Sequence, residues 1–393
     1  ELIPAGKSNL YPLGTAFQKE EVYVYYASRK GEIFAVHFPQ PFPPIKSGKA
    51  LVNLKRFYKN PIIEPNPTRE WESEATFNPA ALYDNGKVHL LYRAVGRGGI
   101  SSFGHATSED GVTFERGSSE PAYIPRHEFE GIKTKPTQIT DLYKSGAGWG
   151  GCEDPKLTAI ENKIHLTYVA YNGYSHPRVA LSSIDRADFT QKKWNWSEPI
   201  LMSGPGVINK SACILPEKVK GKYVIFHRVF PHILIDYRDE LKFDDGKWLK
   251  TDARITTRPH MWDSRKLSVG ATPIKTESGW LVIYHAVDDR DDARYKIGAM
   301  ILALDDPSRV LYRSNNPLLE PDEPYENEWK PGIVYPCGAV VLKDELFVYY
   351  GGGDRVVCCA IAQMDNFIKA VKKDKCADFK LKKIAYSKKT NKI

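Results

Sequence analysis

The chain lacks the features that mark several functional classes. No apolar run in its 393 residues approaches the roughly eighteen needed to cross a bilayer. The first residues, "ELIPAGKSNL", show no basic stretch followed by an apolar core, so no export signal is visible. A soluble, cytoplasmic protein with no membrane partner is expected. The six cysteines (Cys152, Cys213, Cys337, Cys358, Cys359 and Cys376) form no CxxC pair, which is neither a zinc spacing nor a disulfide framework. They are expected to be buried thiols in a reducing compartment. His89, His105, His165 and His176 are scattered without ligand spacing, so no metal is expected. No glycine-rich loop precedes a helix, which leaves nucleotide binding unsupported. The charge excess is also missing from most of the chain. The net charge is +8, and residues 369–393 alone hold ten Lys against two Asp. The basic character belongs to a tail, and nothing else suggests nucleic acid.

What the chain does have is repetition. "LYPLGTAFQKEEVYVYYASRK" (residues 10–30) and "VYPCGAVVLKDELFVYYGGGD" (residues 334–354) share a Tyr-Pro-x-Gly start, an acidic turn and a Val-Tyr-Tyr strand. The same strand, polar turn and alternating aromatic strand appear in "FNPAALYDNGKVHLLYRAV", "CEDPKLTAIENKIHLTYVAY", "ACILPEKVKGKYVIFHRVF" and "VGATPIKTESGWLVIYHAV". Five complete units begin near residues 77, 152, 212, 269 and 335. With 42% hydrophobic residues and almost no helical periodicity, this predicts an all-β fold, a five-bladed β-propeller with a central active-site cavity. The expected domains are residues 1–55, an extension carrying a blade-like hairpin, residues 56–368, the propeller, and residues 369–393, the basic tail. The extension has Lys30 where the last unit has Asp354.

The first strand of a blade lines the axis, so polar residues there converge on one cavity. These are Asn78, the Glu153–Asp154 pair, Lys210 and Lys266, joined by Asp354 at the end of the last repeat. The second strands add Arg93, His227, Arg228 and His285. In "GWGGCEDPKL", Pro155 fixes φ and the glycines permit close backbone approach. Adjacent strand residues point to opposite faces, so one carboxylate can face the cavity while the other ties down the loop. The alternative is a turn in which the Asp only caps backbone amides.

These stretches, together with "PEKVKGKYVIFHR", "KIGAMILALDDPSRVLYRSNNPLLEP" and "YPCGAVVLKDELFVYYGGGD", resemble glycoside hydrolase family 130 across roughly residues 60 to 365. The resemblance implies a five-bladed propeller acting on β-mannosides, mostly by phosphorolysis and in some members by hydrolysis. It implies Asp154 as general acid, its proton passing through a sugar hydroxyl, and Asn78, Arg93 and Asp354 as sugar contacts. Glu153 and Asp263 join the substrate-binding set. Lys266 and His285 fall near the phosphate, with Arg228 and His227 as further anion contacts. Inorganic phosphate is then a co-substrate and no other cofactor is implied; the partners are a β-mannoside oligosaccharide and phosphate, with a homo-oligomer allowed.

Chemistry supports phosphate independently. An inverting glycosidase needs a carboxylic acid and a carboxylate base about 6.5–9.5 Å apart. Phosphate is already an anionic nucleophile and needs cationic holders instead. The segment "MWDSRKLSVGATPI" departs from the family's usual glycine- and proline-rich run at Ser268, Ala271 and Thr272. Hydrolysis, with Glu153, Glu74, Asp263 or Asp288 as base, and a non-catalytic carbohydrate-binding propeller are the alternatives. Trp71, Trp149 and Trp262, beside the motifs, are expected to stack on sugar.

Overall fold

A computed structural model describes residues 54–243 and 246–374 in full, and the backbone of the strands Leu10–Gln18, Glu21–Ser28, Ile33–Pro39 and Lys382–Lys383. Two compact units are present, residues 51–374 and residues 1–50 with 375–393. The larger is nearly all β, with two α-helices, Arg186–Thr190 and Met364–Lys373, among the described residues. No described helix is long and apolar enough to cross a membrane.

Five antiparallel four-stranded meanders make up this unit. The first runs through Ala75–Asp84, Lys87–Val95, Ile100–Ser108 and Glu115–Arg116. The second runs through Gly150–Ile160, Lys163–Tyr171, Arg178–Asp185 and Ile200–Leu201. These two merge into one eight-stranded sheet through a short parallel contact, Ile100 with Gly150 and Ser101 with Gly151. A Cβ on Gly151 would lie 2.3 Å from Ser101 O, so that junction requires glycine. The third meander is Lys210–Ile214, Tyr223–Val229, His232–Arg238 and Ala253–Ile255. The fourth contains Lys266–Val269, Gly279–Asp288, Asp291–Leu302 and Val310–Arg313, and Ile274–Thr276 also pairs with Gly279–Asp288. In the fifth, Val334–Leu342, Glu345–Gly352 and Val356–Gln363 are completed by Lys55–Arg56 from the start of the unit. Each sequence repeat falls on the first two strands of a meander. The first strands touch in order, first with second, second with third and third with fourth; the fifth meander's first strand contacts both the fourth meander and the first.

The apolar faces between sheets form the core, including Leu281, Ile301, Leu346 and Val348 in one cluster and Phe226, Trp280, Val282 and Leu302 in another. Phe367 and Val371 of the last helix are buried in the first cluster, so the unit continues past residue 368 to Asp374. Cys152, Cys213, Cys337, Cys358 and Cys359 are free and buried; Cys376 lies outside the described residues.

A buried acid anchors the second strand in four meanders. Tyr92 donates to Glu72 at 2.7 Å, Tyr168 to Glu130 at 2.5 Å, Tyr284 to Asp263 at 2.9 Å and Tyr350 to Glu326 at 2.9 Å. All four acids are fully buried. Arginine satisfies three of them as well: Arg116 reaches Glu72, Arg258 and Arg313 reach Asp263, and Arg56 reaches Glu326. Buried carboxylates persist only when paired and hydrogen-bonded in this way. The third meander has Phe226 at the tyrosine position and does not share the device.

In the smaller unit, Leu10–Gln18 pairs with Glu21–Ser28, with a register break between Pro12 and Gly14. The fifth meander breaks at the matching point, between Pro336 and Gly338. Ile33–Pro39 follows, and Lys382–Lys383 from the basic tail pairs with it. Lys30 lies outside the described residues.

Candidate active site

Besides the break at Pro336/Gly338, the first strands of three meanders carry a bulge with a left-handed residue in it. Register shifts separate Phe77 from Ala80, Glu153 from Lys156 and Lys210 from Cys213. Within them Asn78, Asp154 and Ser211 adopt left-handed conformations, with φ of 47°, 51° and 55°. Such a conformation costs a non-glycine residue of order 1–3 kcal/mol and is held by its surroundings. Two of these residues, Asn78 and Asp154, line one polar cavity.

The other lining residues are Ser145, Lys210, Arg228, Lys266, His285, Tyr295, Lys330, Ile333, Tyr335 and Asp354. Asn78 Nδ2 donates to Asp154 Oδ1 at 2.8 Å, leaving the buried Asn78 Oδ1 with no protein partner. Arg93 lies fully buried behind them. It donates to Ser101 Oγ, Ser145 O and Glu153 Oε1, and its Nη1 is 3.6 Å from Asp154 Oδ1. Glu153, also fully buried, holds Lys210 at 3.4 Å. The two neighbouring carboxylates thus divide: Glu153 positions cations and Asp154 faces the cavity. Burial pushes the Asp154 pKa up, but Arg93, Lys156, Lys210 and the Asn78 donor outweigh it and hold it below the usual carboxylate value.

The lining also carries cationic side chains. Lys266 Nζ donates to Tyr295 Oη at 2.5 Å, and the Lys266 pKa is lowered, chiefly by burial. Burial alone would raise the Tyr295 pKa, but Lys266, Arg228 and Lys330 lower it. His285 packs on Tyr335 with ring centroids 4.1 Å apart and the planes tilted by 35°, and its Nδ1 has no partner. Burial, with Arg228, Lys156 and Lys266 nearby, drives its pKa well below the usual histidine value, so its imidazole is neutral. Lys330 donates to Asp354 Oδ2 at 2.7 Å; burial opposes its charge, but Asp354 holds its pKa above the usual lysine value. Among the described residues the lining therefore carries four cationic side chains, Lys210, Arg228, Lys266 and Lys330, against two carboxylates, Asp154 and Asp354. A compact site with that imbalance attracts an anion.

The structure brings Asn78, Asp154, Asp354, Lys266, His285 and Arg228 together, with Arg93 and Glu153 directly behind. It separates two sequence candidates from the cavity. Asp263 is the buried anchor of Tyr284, bound by Arg258 and Arg313, and its repeat partners Glu72, Glu130 and Glu326 carry the signal that places it in the core. His227 is hydrogen-bonded on both ring nitrogens, to Asn209 and to Lys250 O, and burial lowers its pKa to about 4. Trp262 is buried against Tyr284, Trp71 packs on Tyr92 and Trp149 donates to Gly98 O, so none of these three lines the cavity. Sequence reasoning missed Ser145, Tyr295, Lys330 and Tyr335. Tyr335 stood in the quoted "YPCG" repeat, whereas Lys330 and Ser145 come from loops without a repeat signal.

The family model for glycoside hydrolase family 130, described as beta-1,4-mannooligosaccharide phosphorylase, matches residues 53–373. A 1,2-beta-oligomannan phosphorylase from Thermoanaerobacter sp. is 35% identical over 327 residues, covering 80% of this chain and 99% of the relative. A beta-1,2-mannobiose phosphorylase from the same organism is 35% identical over 330 residues, with the same coverage. The beta-1,2-mannobiose phosphorylase of Listeria innocua, solved with beta-1,2-mannobiose, superposes with a TM-score of 0.63 at 24% identity, covering 81% of this chain and 99% of that one, a likeness of fold.

Proposed function

This chain belongs to glycoside hydrolase family 130, and from that premise we propose that it is an inverting phosphorylase of β-1,2-linked manno-oligosaccharides. The observation that carries the reading is the cation surplus of the cavity that Asp154 lines. Both relatives at 35% identity are phosphorylases of β-1,2 mannosides by name, which supports that linkage over β-1,4. The five meanders are read as propeller blades, because their first strands touch in order and the fifth also meets the first.

In this reading the terminal mannose lies between Asn78 and Asp354, which line the cavity. Phosphate sits against Lys210, Arg228, Lys266 and the neutral His285. A phosphate oxygen forms a bond to C1 on the face opposite the glycosidic oxygen, and the C1–O bond to the remaining sugar breaks. Asp154 supplies the proton that the leaving oxygen takes up, through a sugar hydroxyl, and the product is α-mannose 1-phosphate. Asp154 is held as a carboxylate by its cationic neighbours, so it needs a reason to carry a proton. A bound phosphate provides one, because its negative charge offsets those cations and raises the Asp154 pKa.

The test is a screen of β-1,2- and β-1,4-manno-oligosaccharides with inorganic phosphate, read as α-mannose 1-phosphate. The expected outcome is product from the β-1,2 series. Free mannose as the sole product would overturn the phosphorylase reading in favour of hydrolysis.

A further inference from the structure

The loop between Glu326 and Val334 borders the cavity with Lys330 and Ile333, and it also carries Trp329. All eight tryptophans lie among the described residues, and Trp329, 49% exposed, is the most exposed of them. Its position is set by what surrounds it. The Arg355 guanidinium covers one ring face at 4.5 Å. Lys330 N donates to Gly353 O at 3.1 Å, and Gly332 N to Asn327 Oδ1 at 3.0 Å, which fix the loop. The backbone of Arg355 is held, its N donating to Gly352 O and its carbonyl accepting from Thr76 N. The stacked pair Trp329–Arg355 therefore directly adjoins, in sequence, the ion pair Lys330–Asp354. Lys330, with its side chain half exposed, marks where the cavity meets solvent.

We infer that Trp329, backed by Arg355, is the stacking platform for the sugar that leaves the cavity, on the acceptor side of the scissile bond. The inference rests on the mannoside reading above. An aromatic face is a large amphipathic surface that meets the C–H face of a pyranose without ordering many side-chain torsions. With one face covered by Arg355, the opposite face of the ring is the one left to meet a sugar. In the interior the aromatic rings, His285, Tyr295 and Tyr335, pack on one another, whereas Trp329 is exposed, so the polar cavity takes the mannosyl unit and the exposed platform takes the acceptor.

The reverse reaction separates the two. With α-mannose 1-phosphate as donor and β-1,2-mannobiose as acceptor, Trp329→Ala is expected to raise the acceptor KM about fivefold or more. The donor KM is expected to stay within about twofold, and Trp329→Phe to keep most of the acceptor affinity. An equal rise in both KM values, or an unchanged acceptor KM, overturns the platform. Calorimetric binding of β-1,2-mannotetraose to Asp154→Asn and to Asp154→Asn/Trp329→Ala decides the point if the wild type proves to be a hydrolase. Weaker binding by the double variant supports the platform; equal binding, or no binding by either, overturns it.

Discussion

Asn78 and Asp154 lie 76 residues apart on different meanders, yet the Asn78 amide donates to Asp154 Oδ1 at 2.8 Å. Both residues precede a proline and both sit in a left-handed bulge of a first strand. The contact orients the carboxylate and, with Arg93 3.6 Å away, favours its charged form. Asp154→Asn is expected to lower kcat for phosphorolysis roughly a thousandfold, the scale of general acid catalysis. Calorimetry should show mannoside binding retained. Loss of binding together with activity would assign Asp154 to sugar recognition instead.

The depressed Asp154 pKa has a sign that can be read in solution. In the free protein the group is a carboxylate near neutral pH. An anion beside Lys210, Arg228 and Lys266 raises its pKa and draws a proton onto it. Sulfate, which has no titrating proton near neutral pH, is expected to bind with proton uptake, detected by calorimetry in buffers of different ionisation enthalpy. Asp154→Asn should bind sulfate with less uptake, the remainder being drawn onto Lys266 and His285, whose lowered pKa values the anion also raises.

The repeat made the fold class and the cavity residues on first strands legible, because bulge sequences such as Asn-Pro and Glu-Asp-Pro recur at matching positions. Loops have no such periodicity, so Lys330 and Ser145 were invisible, as was the platform at Trp329. Asp263 was misplaced for a different reason. A carboxylate beside a catalytic motif looks functional until Tyr284 is seen at the offset where Tyr92, Tyr168 and Tyr350 also hold buried acids.

That reassignment predicts a stability effect. Asp263→Ala leaves Arg258, Arg313 and the Tyr284 hydroxyl without their shared acceptor, and removing one member of a buried ion pair costs about 3–5 kcal/mol. Denaturant unfolding should show that loss, with kcat per folded molecule little changed. A large fall in kcat at unchanged stability would return Asp263 to the active site.

The triple glycine before Asp354 has a steric cause. A Cβ on Gly351 would lie 2.0 Å from Asn78 Oδ1, so an alanine displaces Asn78 from Asp154. Gly351→Ala is expected to destabilise the fold by about 1–3 kcal/mol and to lower kcat as well, measured by thermal unfolding and initial rates. Wild-type kinetics in this variant would show that the Asn78 contact is dispensable.

Lys266 tests the anion wall alone. Its hydrogen-bond partner is Tyr295 and not a carboxylate, and burial has lowered its pKa, so a bound anion gains most from it. Lys266→Met is expected to raise the KM for phosphate roughly tenfold or more, with the KM for mannoside little altered. Equal effects on both substrates would place Lys266 outside a phosphate site.

The most direct test is the rate of β-1,2-mannobiose cleavage as phosphate is titrated from zero. A cavity with four cations against two carboxylates predicts no cleavage without phosphate and a saturable rise with it, yielding α-mannose 1-phosphate and mannose in equal amounts. Release of mannose at a rate independent of phosphate would contradict the account.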